Sequence, residues 1–194
     1  MSPLKLTDLS GDLSGRLLVA TPVIKDRAFR KSVILVCAHS EKGAIGVLIN
    51  RPALNMTLRR LFVEKDLQPP RVPLGLPVHA GGPAGIDGVV TLHTPIEPGD
   101  PKGVQITETI SITPGTAVLR RLAEQNLLAN AFIAMGHCAW GPGALEAELG
   151  RGMWLTLHVE DEDLFDTPAG DRWERAMHQM RVTPSNLSGV SGYA

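Results

Sequence analysis

The sequence has no apolar run long enough to cross a bilayer. VILVCA, at 33–38, is the most continuous stretch and falls far short of the roughly 20 residues a spanning helix needs. It also lacks a charge of one sign. Nineteen Lys and Arg balance twenty Asp and Glu, for a formal charge of −1. The basic domain that usually marks a nucleic-acid binder is therefore missing. Cysteine is scarce: Cys37 and Cys138 stand about a hundred positions apart without metal-ligand spacing. That excludes a disulfide framework and fits reduced thiols in the cytoplasm. The opening MSPLKLTDLSGDLSG alternates apolar and charged residues and has no continuous apolar core of a signal peptide. There is no internal repeat and no low-complexity linker. What remains is 194 residues, 43% of them hydrophobic, which suits one globular domain with a substantial core. The tail from Pro184 is polar and contains Gly and Ser, so the domain is expected to span 1–183 and the tail 184–194 to be loosely held.

RLLVATPVI (16–24), SVILVCA (32–38) and AIGVLIN (44–50) read as strands. The turn-forming HSEKG between the last two predicts a hairpin. TLRRLFVEKD predicts a helix capped by Thr57, with Leu58, Leu61 and Phe62 on one face. DLQPPRVPLGLP reads as a proline-rich surface connection. VHAGG and GVVTLH predict short strands around a Gly-Gly-Pro corner, and VQITETI alternates as a half-buried strand does. A helix is expected from Thr113-Pro114, with Thr as N-cap and Pro at the first position, carrying Val118, Leu119 and Leu122. AFIAMG reads as a strand, GPGALEAELG as a short helix with Pro142 at its first position and closed by Gly150, and MWLTLHV as the last strand. A last helix is expected to start at Thr167-Pro168, with Trp173, Ala176, Met177 and Met180 at helical spacing. Strands outnumber helices and short turns join them. The expected class is α+β, with a mixed, mostly antiparallel sheet and flanking helices.

Gly136-His137-Cys138-Ala139-Trp140 lies where a nucleophile elbow would sit, between a predicted strand and a predicted helix. The elbow needs small residues on both sides of the nucleophile, and Trp140 is the bulkiest available. A structural corner with a buried thiol is the reading preferred here. AGGPAG, at 80–85, lacks the lysine of a phosphate loop and leads into a strand. Its amides could still form an anion nest, with a tight turn as the default. The six histidines are scattered without ligand spacing, so no zinc or other metal is expected. EDEDLFD, at 160–166, lacks the rhythm of a calcium loop and reads as a solvated loop or helix start. Arg59-Arg60 and Arg120-Arg121 form the wet faces of predicted helices. No catalytic residue and no cofactor are identified.

GRLLVATPVIKDRAFRKSVILV (15–36), GAIGVLINRP (43–52), HAGGPAGIDGVVTLH (79–93), GHCAWGPGALEAEL (136–149) and LFDTPAGDRW (164–173) follow one another in the order of a known family. The chain resembles the bacterial YqgE/AlgH family, also called UPF0301 or DUF179. The resemblance implies a single α+β domain with a barrel-like mixed sheet. It brings no established activity, since members are described as uncharacterised or as candidate transcriptional regulators. Two positions depart from the family pattern. Ala144 stands where the family usually has Gln, and Cys138 where it has a small non-nucleophilic residue.

The signature polar residues fall at strand ends, where binding residues concentrate. A binding or regulatory module using Asn50, Arg51, Gly81, Gly82, Trp140 and Glu146 is therefore expected, with an unknown protein or small molecule as partner. The competing reading is that Asn50 relaxes a turn, Arg51 pairs with an acid and the glycines only satisfy backbone geometry. An Arg51–Glu146 ion pair beside the Gly-Gly-Pro corner is predicted, with Trp140 as an apolar wall. Two other classes remain: an enzyme with a pocket near the Gly-Gly-Pro and Trp-Gly-Pro-Gly corners, and a direct DNA-binding regulator, which the charge balance opposes.

Overall fold

A computed structural model describes residues 13–68, 76–97 and 102–181. The three apolar runs of the first fifty residues form β1 (Arg16–Ala20), β2 (Val33–Ser40) and β3 (Gly43–Leu48). The chain continues through β4 (Pro52–Thr57), α1 (Leu58–Glu64), β5 (Pro77–Ala80), β6 (Ala84–His93), β7 (Val104–Gln105), β8 (Ser111–Pro114) and α2 (Ala117–Glu124). A 3-10 turn at Leu128–Asn130 then leads to β9 (Ala131–Trp140), α3 (Ala144–Gly150), β10 (Trp154–His158), α4 (Asp161–Phe165) and α5 (Arg172–Gln179). The proline-rich connection at 69–75 and the tail from Pro184 lie outside the described residues.

β2 and β3 form the expected antiparallel hairpin, with Ile34 opposite Leu48 and Ser40 opposite Gly43. Both strands are buried on both faces, which explains why they read as continuous apolar runs rather than alternating ones. The period of two divides their side chains between two cores. Leu17, Leu35 and Val47 enter one with Trp173 and Met177 of α5. Leu18, Ile34 and Leu48 enter the other with Trp140, Leu145 and Trp154. A third core gathers Leu58, Leu61 and Phe62 of α1 with Val118, Leu119 and Leu122 of α2.

The strands follow the order β10-β1-β2-β3-β9-β6-β8-β7, with β5 attached to β9 and β4 to β5. Each pairing along the main path is antiparallel, and β5 runs parallel to β9. The sheet curls into a half-barrel with helices packed against it, the mixed α+β arrangement expected. Among the described residues no helix is long and apolar enough to cross a membrane.

Thr57 caps α1 as expected, its hydroxyl accepting the Arg60 N–H at 3.2 Å. Several boundaries differ from expectation. Thr113 and Pro114 end β8, with Thr113 opposite Thr91, and α2 starts only after Thr116. The strand expected at 104–110 stops after Gln105. There the Thr107 hydroxyl accepts the N–H groups of Thr109 and Ile110 and turns the chain. Pro142 is not the first residue of α3; Gly143, at φ 70, is the N-cap. The acidic stretch at 160–166 forms α4, held by a capping box between Glu160 and Asp163. Thr167-Pro168 precedes α5 without starting it, and Asp171 is the N-cap.

The largest correction concerns Gly136 to Trp140. These residues are not a corner: they are the second half of β9, and the turn into α3 comes only at Gly141–Gly143. β9 continues because Gly136, at φ +74, lets the chain change partners without ending the strand. Before it, β9 pairs with β5 and β6; after it, Cys138, Ala139 and Trp140 pair with Gly46, Ile45 and Ala44 of β3. Gly81 and Gly82 cross this junction in backbone contact. A Cβ on Gly82 would stand 2.2 Å from the His137 carbonyl carbon, and one on Gly81 2.3 Å from the Gly136 oxygen.

Gly82→Ala is therefore expected to lower stability by about 3 kcal/mol or more, combining a backbone clash with strain at positive φ. Gly141→Ala meets nothing within 4 Å and serves as the control with little effect. Urea unfolding of both variants checks this, and equal midpoints would refute the tight crossing.

Candidate functional site

Asn50 and Arg51 follow β3 and reach across to the loop joining β1 and β2. The Asn50 side-chain oxygen accepts the Val33 N–H at 2.9 Å, and its amide nitrogen donates to the Lys31 carbonyl at 2.7 Å. The Arg51 guanidinium donates to the Arg30 carbonyl at 2.7 Å. Two successive carbonyls are thus pinned, and Lys31 is held at φ 55, an uncommon conformation for a residue with a Cβ. The Arg51 carbonyl in turn accepts the Ala80 N–H at 2.8 Å, which fixes this turn against β5.

The pinned loop forms one wall of a cleft of about 710 Å³, lined by Arg30, Lys31, Arg51, Leu54, Trp173 and Glu174. A second hollow of about 920 Å³ shares Arg30, Lys31, Trp173 and Glu174 and extends toward Lys25, Met177 and His178. Trp173 is the fixed element between them. The residue is 7% exposed, its indole N–H donates to the Ala20 carbonyl at 2.9 Å, and the Lys31 ammonium lies 4.8 Å from the ring centroid. Lys31 also approaches Glu174 at 3.9 Å, but both side chains are largely exposed and the pair contributes little to stability. Around the first cleft three cations face one carboxylate. The other notable surface is Leu54, 92% exposed at the rim.

The expected site is therefore split. Asn50 and Arg51 border the cleft, and Gly81 lies beside their turn. Gly81 serves the sheet rather than a ligand: its N–H donates to the Met135 carbonyl at 2.7 Å and its carbonyl accepts the Leu48 N–H at 2.8 Å. Gly82 is filled by the β9 backbone. Trp140 sits opposite Ala44 at the far end of β3. The run from Ala44 to Leu48 alone separates it from the Asn50 turn by about 13 Å at a rise of ~3.3 Å per residue.

The predicted Arg51–Glu146 pair does not form. Glu146 meets His39 instead, at 2.7 Å, while Arg51 holds a carbonyl. Hydrogen bonding from its own backbone, and then from His39, keeps the Glu146 carboxyl below its usual range. Trp140 is not an open wall either. It is buried edge-to-face against Trp154, and both indole N–H groups donate to one Glu148 oxygen, at 3.0 and 2.7 Å. The sequence reading missed Arg30, Lys31 and Trp173. The signal was present: KDRAFRK, at 25–31, places four cations in seven residues.

Cys138 is buried among apolar side chains with its thiol against the Gly81 carbonyl at 3.6 Å. Burial pushes its pKa up to about 12. Cys37, on β2, is buried as well and its thiol is raised, first by burial and then by Cys138. Neither is a nucleophile at neutral pH. Among the described residues no group of three or more His, Cys, Asp or Glu is placed to hold a metal ion.

Residues 17–185 match the model of the AlgH-like family, DUF179. Similar curated proteins include the UPF0301 proteins of Vibrio parahaemolyticus, 36% identical, and Vibrio vulnificus, 35% identical. Each alignment covers 94% of this chain and 100% of the relative. The solution structure of AlgH from Pseudomonas aeruginosa superposes with a TM-score of 0.75 at 28% identity, covering 100% of both chains. A crystal structure from Corynebacterium diphtheriae, at 21% identity, shares the fold with a TM-score of 0.69 over 92% of this chain and 94% of that one.

Asn50→Ala removes two hydrogen bonds and leaves the Val33 N–H and the Lys31 carbonyl unmet, a loss of about 1–3 kcal/mol. Amide exchange at Val33 should accelerate at least tenfold while the β6–β9 amides change less; uniform acceleration would show that Asn50 does not act locally. In the native protein a thiol reagent at pH 8 should label neither Cys37 nor Cys138, and both should react after denaturation. Prompt native labelling of Cys138 would restore the elbow.

Proposed function

The chain belongs to the AlgH-like family (DUF179, UPF0301), and from that premise we propose that it is a non-enzymatic binding module. Its cleft takes an acidic segment of a partner protein. The observation that carries the reading is the concentration of Arg30, Lys31 and Arg51 around a fixed tryptophan and an exposed leucine. The same chain has a formal charge of only −1, so the basic character is local. Cations steer an acidic segment to the cleft, and the exposed Leu54 offers apolar contact to the residues between its charges, over a floor that includes the buried Trp173. The loop is braced before any ligand arrives, so little ordering cost falls on binding. A regulatory role suggested by the family would act through this protein contact. Direct duplex recognition is the less favoured route, because the basic surface is one short loop and specific binders neutralise several phosphates.

Fluorescently labelled poly-L-glutamate serves as the probe. Binding should weaken as salt rises, and the double variant Arg30→Glu/Lys31→Glu should lose at least tenfold in affinity. Its unfolding midpoint should fall only slightly, because Asn50 and Arg51 hold the carbonyls of these residues, and the variant loses only the exposed Lys31 contacts with Trp173 and Glu174. Unchanged affinity in that variant would overturn the proposal, as would tight, sequence-selective binding of a DNA duplex.

A further inference from the structure

Apart from Gly170 and Trp173, the LFDTPAGDRW segment takes no direct part in the basic cleft, and neither does His79, yet the fold brings them together. They line a separate cavity of about 410 Å³ on the far side of Pro52 and Gly170, two residues that border both hollows. That volume falls within the ~300–1,000 Å³ of small-molecule sites. Leu76, Phe132 and Phe165 supply apolar wall, and His79, Asp166 and Arg172 supply the ionisable groups.

Arg172 is 7% exposed. Its Nε donates to the Thr167 carbonyl at 3.0 Å, Nη2 to the Leu164 carbonyl at 2.7 Å, and Nη1 to the Ile49 carbonyl. Two of the five guanidinium N–H groups remain after these three bonds. Among the described residues no carboxylate stands within ion-pair distance of it. Asp163, which acts on its charge, pairs with Arg175 at 3.3 Å and caps the Glu160 N–H at 3.0 Å. Burial lowers the Arg172 pKa to about 10, so the group stays charged at neutral pH. A buried cation held by carbonyl dipoles and by the Phe132 ring, 5.2 Å from the guanidinium carbon, with no carboxylate bonded to it, leaves room for an anion.

His79 is 4% exposed and stacks on Phe132 with ring centroids 4.1 Å apart. Its Nδ1 faces the Ile133 carbonyl at 3.3 Å, which assigns the proton to Nδ1 and leaves Nε2 as an acceptor. No other described residue bonds to the ring. Burial, and then the Arg172 charge, bring its pKa down to about 4, so the ring is neutral at physiological pH.

We propose that this cavity binds a small zwitterion with the chemistry of a free amino acid. The carboxylate offsets Arg172, the ammonium donates to His79 Nε2 and meets the Asp166 carboxylate, and an apolar side chain lies against Phe132 and Phe165. A simple anion satisfies Arg172 but brings nothing to the acceptor side of the cavity.

Titration of the full-length protein with L-leucine, L-leucinamide and N-acetyl-L-leucine, followed by amide chemical shifts, tests this. Leucine should perturb residues at 76–79 and 164–172 and bind at least tenfold more tightly than either derivative, each of which lacks one charge. His79→Phe keeps the stack, removes the acceptor, and should cost about tenfold in leucine affinity. The ligand series uses the wild-type protein, so it decides even where that variant is unstable. Equal affinity for the three ligands, or no perturbation by leucine at millimolar concentration, would overturn the proposal. The result is independent of poly-L-glutamate binding, which reads the other hollow.

Discussion

Main chain meets main chain at Gly81, Gly82 and Gly136 with no space for a side chain, and the rest of the fold is arranged around that contact. β9 has ten residues and changes one of its neighbours along its length. At Gly136 it leaves β5 and takes β3 as its partner. Gly81 closes the gap this exchange opens, linking Leu48 at the end of β3 to Met135 on β9 through its own carbonyl and N–H. Buried backbone groups must find partners, so the three-strand junction can exist only if Gly81 lies within hydrogen-bond reach of both strands. The Asn50-Arg51 turn is placed by the same requirement, because β3 has to end where Gly81 enters.

α5 converts that scaffold into two hollows. Arg172 and Trp173 are neighbours in sequence, about 100° apart round a helix, and so face different spaces. Trp173 reaches the Ala20 carbonyl and divides the basic surface. Arg172 reaches the Ile49 carbonyl, just before Asn50, and also holds the Leu164 carbonyl of α4 and the Thr167 carbonyl that follows it. One helical turn thereby ties the end of β3, the end of β1 and the 164–167 segment into a unit. Replacing either side chain removes hydrogen bonds to buried carbonyls, and their cost is set by desolvation of those carbonyls rather than by the bonds themselves.

The sequence revealed the elements with strong periodicity and concealed those decided by tertiary contact. The β2–β3 hairpin, the Thr57 cap and the buried faces of α1, α2 and α5 were legible because local chemistry and burial agree there. Thr-Pro pairs misled twice, at Thr113 and Thr167, because the pair suits a strand end or a turn as well as a helix start. Gly136 misled in the opposite direction. A glycine after an apolar run reads as a stop, whereas here it carries the strand through a change of partner. At the site, Asn50 and Arg51 stood out as signature residues. Their partners are backbone carbonyls at Arg30 and Lys31, and a contact to a carbonyl leaves no residue-type signal in sequence. Glu146 found His39 rather than Arg51 because the packing of α3 against the sheet decides which strand residue it meets, and a single sequence does not specify that packing.

That distinction bears on what the signature residues are for. The Asn50 amide and one guanidinium nitrogen of Arg51 are bonded to main chain, and Arg30 and Lys31, which they support, sit on an exposed loop. A loop held by side chain to carbonyl bonds keeps its path whatever side chains it displays, because the bonds are made to atoms that every residue possesses. The brace and the displayed surface can therefore vary separately. Charge at positions 30 and 31 sets what is attracted, while Asn50 and Arg51 set where it is presented. Trp173, anchored from the opposite side by α5, supplies the fixed apolar reference against which that charge is displayed. Binding specificity in such an arrangement lies in the exposed side chains of a rigid loop, and the signature polar residues belong to the mount beneath them.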